Sequence, residues 1–403
     1  MEQVRTAYKL PDLMAPYAGQ INDLDAHEAM PVTMWCEEFG SEAEEFVKAG
    51  MSLVFNPEAA QDKAEINPYN VWNLKMELAP GAFDLQRRLE VLNYVGIDRQ
   101  IIFPGGFGHQ AIFLYNRAHD PSAYKGVHGV GPERKKYAHR LLQMQNEWCV
   151  RNWRNSRMRP VAVLIEESAD DMYNTTKRLI DKGVRLFEIS CTNPPAGLSP
   201  ADPQLDKVWA LLADSDSSIL AHVDGSSAVG FLATQQWKKA PAFEGWKCGD
   251  EFELDPWTLT SLHLAVQNFI TTMVLGGVFD RHPRLRFACQ EFGAGWVGPL
   301  AENMDRYYAH TPFPTSIEER RLKMKPSDYI HKHIRVAPFY FEPVGKYIDR
   351  YGFDDVFCFA TDFPHFEGGK RPMEDFSASM KGQSPETLRK FFVENAKYIL
   401  PDC

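Results

Sequence analysis

The sequence predicts an α/β protein, a closed (β/α)8 TIM barrel with long insertions after strands 1, 2 and 5. Three observations predict it. Eight short apolar runs, each about the length of a buried strand, end in polar or turn residues. Stretches of helical periodicity lie between the runs. Gly96, Gly183 and Gly352 sit where a helix would end and a strand begin. Strands that alternate with helices pair in parallel through right-handed crossovers. An open doubly wound sheet is the alternative, but polar residues close the runs all round, which favours a barrel.

The runs are 21–27, 99–104, 160–165, 184–190, 218–223, 286–291, 334–341 and 356–362. The helical stretches are 85–95, 137–155, 169–182, 205–213, 262–278, 296–308 and 344–351. Three connections, 28–85, 105–134 and 224–260, are too long for simple loops. Each follows a strand and precedes a helix, which places it on the face of a barrel that carries active sites. There the insertions would serve as lids or contacts between subunits. No repeat or low-complexity tract divides the chain, so one barrel domain spanning 1–403 is expected.

Composition narrows the function. Of 403 residues, 44% are hydrophobic and 24% charged, which suits a globular chain that buries a core without staples. The net charge of −10 and the lack of a basic stripe argue against nucleic acid as a partner. No segment approaches ~18 consecutive apolar residues, so no membrane span is expected. Residues 1–5, MEQVR, lack the apolar core of a signal peptide. Seven scattered cysteines without a CxxC fit reduced thiols, and hence a cytoplasmic location.

The strand ends carry the chemistry. The first run ends Asp25-Ala26-His27, and residues two apart on a strand point to one side. The fifth ends at His222, the sixth at Glu291 and the eighth at Asp362. A barrel brings these to one rim. Two imidazoles and three carboxylates make a mixed site for a divalent Zn, Mn or Fe ion. One ion is the simplest occupancy, and the extra carboxylate of Glu291 leaves room for two. Each residue alone reads more simply as a cap or a buried hydrogen-bonding group; it is their coincidence that points to a metal. His365 follows Asp362 by three residues and would orient water or substrate, or else belong to the Pro364 turn. Trp35 and His263 are candidates for the substrate-facing wall, with core packing the plainer role for Trp35. Gly105-Gly106-Phe107-Gly108 is not a dinucleotide fingerprint and reads as a tight turn. His282, in a His-Pro pair, reads as a turn residue. Neither a GxSxG elbow nor a P-loop is present.

Four segments resemble the amidohydrolase-2 family of aminocarboxymuconate-semialdehyde decarboxylase-like metal-dependent hydrolases. They are Asp25-Ala-His27 with Pro31 and Trp35; GGVFDRHPRL from Gly276; EFGAGW from Glu291; and ATDFPH from Ala360 with Glu367-Gly368. Asn395-Ala396 is similar to the family's last helix. The resemblance implies a mononuclear divalent metal at the barrel mouth. Asp25, His27, His222 and Asp362 stand at its ligand positions. It also implies a homodimer or higher homo-oligomer and a small-molecule substrate, cyclic or aromatic. Two departures stand out. Many members have His-x-His on the first strand, where this chain has Asp25. Decarboxylating members typically have a histidine at the end of strand six, where this chain has Glu291.

The expected activity is therefore metal-dependent hydrolysis, with Asp362 as ligand and general base and Glu291 as second base or ligand. Non-oxidative decarboxylation is the alternative, and a binding barrel without turnover is the reading from another class.

Overall fold

The computed structural model describes residues 8–50, 62–124, 126–153, 157–223, 237–246 and 255–400. Much of the insertion 224–260 and part of 28–85 lie outside the described residues. The strands are β1 Ile21–Asp23, β2 Ile97–Ile102, β3 Met158–Pro160, β4 Ala162–Leu164, β5 Leu186–Ile189, β6 Ser218–His222, β7 Arg286–Gln290 and β8 Ile334–Val336. All pairings are parallel, in the orders β1-β2-β3 and β4-β5-β6-β7-β8.

The two sheets are one wall. β3 and β4 are the two halves of the predicted third run, divided at Val161. Pro160 has no N–H to continue a ladder, and the Val161 N–H bonds back to Ile102 O at 2.9 Å. On the other side the segment 356–363 closes the circle. Cys358 N donates to Val336 O (3.0 Å), Leu24 N to Phe359 O (3.0 Å) and His27 N to Phe363 O (2.8 Å). Single bridges join Val336 to Phe357 and Ala26 to Phe363. The predicted eighth strand is thus present as a hydrogen-bonded segment.

The helices follow in chain order. In the first insertion are α1 Trp35–Phe39, α2 Glu44–Gly50 and α3 Pro68–Asn73. Next come α4 Leu85–Val95, α5 Gly106–Asn116, α6 Pro132–Asn152, α7 Ala169–Asp181 and α8 Asp206–Asp214. Then follow α9 Pro256–Ser261, α10 Leu264–Leu275, α11 Val278–Arg281, α12 Val297–Ala309, α13 Pro326–His333 and α14 Val344–Tyr351. The last are α15 Pro372–Ser379, α16 Pro385–Arg389 and α17 Asn395–Ile399. α4 and α14 have the predicted bounds and end on left-handed Gly96 (φ 78°) and Gly352 (φ 75°).

Three sequence expectations change. The predicted helix 262–278 is two helices, because Gly276 and Gly277 end α10 and Gly277 takes φ 68°. The predicted helix 137–155 starts earlier, at Pro132, whose fixed φ suits a first turn. The predicted turn at 105–108 instead opens α5, which buries Phe107, Ala111, Ile112 and Leu114. Gly105 is needed for contact: a Cβ there would stand 1.4 Å from Glu28 O. Glu28, fully buried, accepts from Gly105 N (3.0 Å) and Met30 N (2.9 Å).

The carboxyl end of the chain closes the opposite pole. Asn395 Nδ2 donates to Asp354 O and Phe357 O at 2.8 Å each. Asn22 Nδ2 donates to Val393 O (2.8 Å), and Ser218 Oγ to Ile399 O (3.1 Å). Among the described residues no helix is long and apolar enough to cross a membrane. Cys36, Cys149, Cys191, Cys289 and Cys358 are free thiols.

Gly105→Ala should destabilise the fold by about 3 kcal/mol, because the β2–α5 junction cannot open without breaking the Glu28 bonds. Denaturant melts of wild type and variant measure this. A change under about 0.5 kcal/mol would show that the junction relaxes freely.

Candidate metal centre

β1 begins the site from behind. Asp23 is fully buried: Oδ1 accepts from Thr361 N (2.8 Å) and Asp25 N (3.3 Å), and Oδ2 from Thr361 Oγ1 (2.5 Å) and Gln100 Nε2 (2.8 Å). Burial pushes its carboxyl up to about 6 against these bonds. Arg88, fully buried on α4, donates to Gln100 Oε1 and to His27 O at 2.8 Å each, and lies 4.4 Å over the Phe363 ring. These bonds lock the first strand to its two neighbours.

The five predicted ligands converge on that frame. His27 Nε2 lies 3.6 Å from Asp25 Oδ1 and 3.3 Å from Asp362 Oδ1. His222 Nε2 lies 3.6 Å from both Asp25 Oδ1 and Glu291 Oε2. Each is at most 8% exposed. His27 Nδ1 faces Pro104 O (3.2 Å) and His222 Nδ1 faces Val223 O (2.8 Å). A carbonyl only accepts, so each Nδ1 carries the proton and each Nε2 is turned to the cluster. Asp362 (φ 51°) and Glu291 (φ 60°) sit on left-handed backbone, a conformation that costs about 1 kcal/mol or more. Asp362 is held there by its N–H to Asp25 O (2.7 Å) and its carbonyl to His365 N (2.8 Å).

No hydrogen bond satisfies the inner atoms. Asp25 Oδ1, His27 Nε2, His222 Nε2, Glu291 Oε1 and both Asp362 oxygens are buried without a partner. Ligand atoms about 2.1 Å from one ion stand roughly 3.0–3.4 Å apart at right or tetrahedral angles. The observed separations, one of 3.3 Å and three of 3.6 Å, lie within or just above that spacing. One atom each from His27, Glu291, Asp362 and His365, and one each from Asp25, His27 and His222, fall within 4.8 Å of one another. The donor set thus fits a divalent cation.

The metal-free electrostatics show the strain of that crowding. Burial, then the neighbouring carboxylate of Asp362, holds Glu291 well above its usual range. Burial, then Asp25 and Glu367, does the same to Asp362. Burial raises Asp25. His222 is pushed up to about 10: burial opposes its charge, but Glu291 and Asp25 outweigh it. His27 stays well below its usual value through burial and the other imidazoles, and so is neutral.

His365 joins the cluster. Its ring stacks on His27 at 3.7 Å and 13°, with Nδ1 3.5 Å from Asp362 Oδ1. Trp35 is 2% exposed; it donates to Met30 O (3.0 Å) and packs on Phe46 and Phe107, in the layer joining the first insertion to α5. His263 stacks over Trp296 at 6.3 Å and lines a cavity of about 570 Å3 with Phe292, Phe339 and Glu342. This cavity adjoins the loop that follows Glu291. His282 pairs with Asp206 (3.0 Å) at the end of α11. Sequence reasoning missed Asp23, Arg88 and Glu28. Arg88 left one signal: a cation on the apolar stripe Leu85, Val91, Leu92, Val95.

The Amidohydrolase family model matches residues 110–401, so the chain belongs to the amidohydrolase family, a family of enzymes. No curated protein matches the sequence. Among solved structures, an amidohydrolase from Mycobacterium avium subsp. paratuberculosis K-10 is 20% identical; the match covers 79% of this chain and 74% of that one, with a TM-score of 0.60. A 2,6-dihydroxybenzoate decarboxylase from Rhizobium is 17% identical over 94% of this chain and 98% of that one, TM-score 0.55. A dihydroxybenzoic acid decarboxylase from Polaromonas sp. JS666, solved with manganese and the inhibitor 2-nitroresorcinol, is 16% identical over 94% and 96%, TM-score 0.54.

Two outcomes are expected. Raised carboxyls favour folding while protonated, and that contribution fades as pH rises through and above the ordinary carboxylate range. The thermal midpoint of metal-free protein should therefore fall between about pH 5 and 8, and an equivalent of Mn2+ should restore it. A flat profile would contradict the crowding. His222→Ala should weaken metal affinity at least tenfold, since removing even a group that only orients a ligand costs about 10–100-fold; unchanged affinity, with full occupancy by elemental analysis, would exclude this imidazole as a ligand.

Proposed function

We propose that the chain is a divalent-metal-dependent enzyme acting on a small cyclic or aromatic substrate, with hydrolysis as its reaction. Asp25, His27, His222 and Asp362 hold the ion, with Glu291 as a further ligand or second base. The observation that carries this is the set of six unpartnered buried atoms converging from four separate parts of the chain. A bound Zn, Mn or Fe ion supplies Lewis acidity, lowering the pKa of water it holds toward ~7 and polarising a carbonyl.

The chain's own groups do the rest. Asp362 Oδ1 lies 3.3 Å from His27 and 3.5 Å from His365, and neither carboxylate oxygen has a hydrogen-bond partner. It can take a proton from the attacking water and return it to the leaving group. His365, stacked on His27, holds that carboxyl in line. Burial keeps bulk water from competing.

A second reading is non-oxidative decarboxylation of an aromatic or unsaturated acid. Two observations favour it: decarboxylases of this fold match over 94% of the chain, and the one from Polaromonas holds manganese with a nitro-substituted resorcinol. Here Glu291 or Asp362, as a neutral acid, would protonate the ring carbon.

The test uses metal-loaded protein and a panel of cyclic amides, lactones and hydroxybenzoates in 18O-labelled water. Label in the organic product supports hydrolysis, and release of CO2 with an unlabelled organic product supports the second reading. Neither, with metal bound, overturns both. Asp362→Asn should cut turnover by about 10³-fold or more while the circular dichroism spectrum stays unchanged. Unchanged turnover would remove Asp362 from the mechanism.

A further inference from the structure

Gln290 closes β7 and is fully buried, yet neither its amide nitrogen nor its amide oxygen has a hydrogen-bond partner. The residue pairs in register with His222, at the end of β6. Neighbouring parallel strands in register send paired side chains to one face. His222 reaches across the barrel mouth to Asp25, just past the first strand, and to Glu291. The Gln290 side chain therefore enters the same interior at the same height, beside the proposed ion. Unmatched amides inside a protein are rare, because water satisfied both ends before folding.

We propose that Gln290 binds the substrate and sets its class: a group that offers a hydrogen-bond acceptor and a donor side by side at the metal. Amides, imides, hydroxamates and carbonyls flanked by a hydroxyl have this pattern. The amide nitrogen donates and the amide oxygen only accepts. A plain carboxylate would satisfy the nitrogen alone and turn its second oxygen toward Oε1, lone pair against lone pair. Interchanging the two ends of the amide alters nothing, since both lack partners. The proposal rests on the metal-site reading above and adds what the substrate must present there.

The test titrates Mn2+-loaded, full-length protein with two probes, benzohydroxamate (donor and acceptor) and benzoate (acceptor only), by calorimetry. Gln290→Met keeps the length of the side chain and removes both hydrogen-bonding ends. The expected result is unchanged Mn2+ stoichiometry, benzohydroxamate weakened about tenfold or more, and benzoate changed by less than about threefold. An unchanged benzohydroxamate affinity, or an equal loss for both probes, would overturn the assignment and mean that the amide meets internal water. Should Gln290→Met not hold Mn2+, Gln290→Asn withdraws the same two groups by one methylene, and the affinity ratio of the probes must again fall. Wild-type protein that takes up no Mn2+ would overturn the metal reading itself, and this inference with it.

Discussion

Asp25, Glu291 and Asp362 bring three carboxylates into one buried cluster with two imidazoles, and like charges in a low dielectric repel unless something positive lies between them. The second row of residues answers that repulsion. Asp23 ties the first strand to Thr361 and Gln100, Arg88 holds the carbonyl of His27, and Glu28 anchors the Gly105 junction beside Pro104. The inner carboxylates cannot relax apart because the strands that carry them are bonded to one another. Asp362 even donates its own N–H to Asp25 O, so two of the repelling groups share a backbone bond.

The same constraint gives the site its chemistry. Groups kept from hydrogen bonds are ready for a cation, for water and for a substrate. His27 and His222 each spend Nδ1 on a carbonyl, which leaves Nε2 directed inward. The left-handed backbone at Glu291 and Asp362 is stable only where the surroundings hold it, and both positions carry a carboxylate of the cluster. Gln290 belongs to this pattern as a neutral amide in the same unsatisfied interior.

Much of the architecture was legible because strand and helix periods differ and barrel strands are short. α4 and α14 were readable to the residue, since glycines end both. The helix α5 was not: its opening glycines suggest a turn, and only burial against the first insertion makes the segment helical. The split at Gly276-Gly277 was likewise hidden, because apolar spacing continues across it. At the site, Asp25, His27, His222, Glu291, Asp362 and His365 were visible as polar residues at or just past strand ends, and the structure gathers them into two groups that share His27. Trp35 was readable from its place in the motif that follows the first strand and His263 from its place after the third insertion, and the structure sets one in an aromatic layer and the other in an adjoining cavity.

By itself the sequence determined which residue types end the strands and which faces are apolar, because both follow from local alternation and spacing. Only the tertiary structure decided which of those ends meet. The distances among Asp25, His222 and Asp362 depend on closure of the wall through 356–363, and closure depends on bonds between segments more than 300 residues apart. The same holds for Asp23, Arg88 and Gln290. Each looks like an ordinary polar residue in one dimension. Burial, partners and register give each its role, and none of these exists before the chain folds.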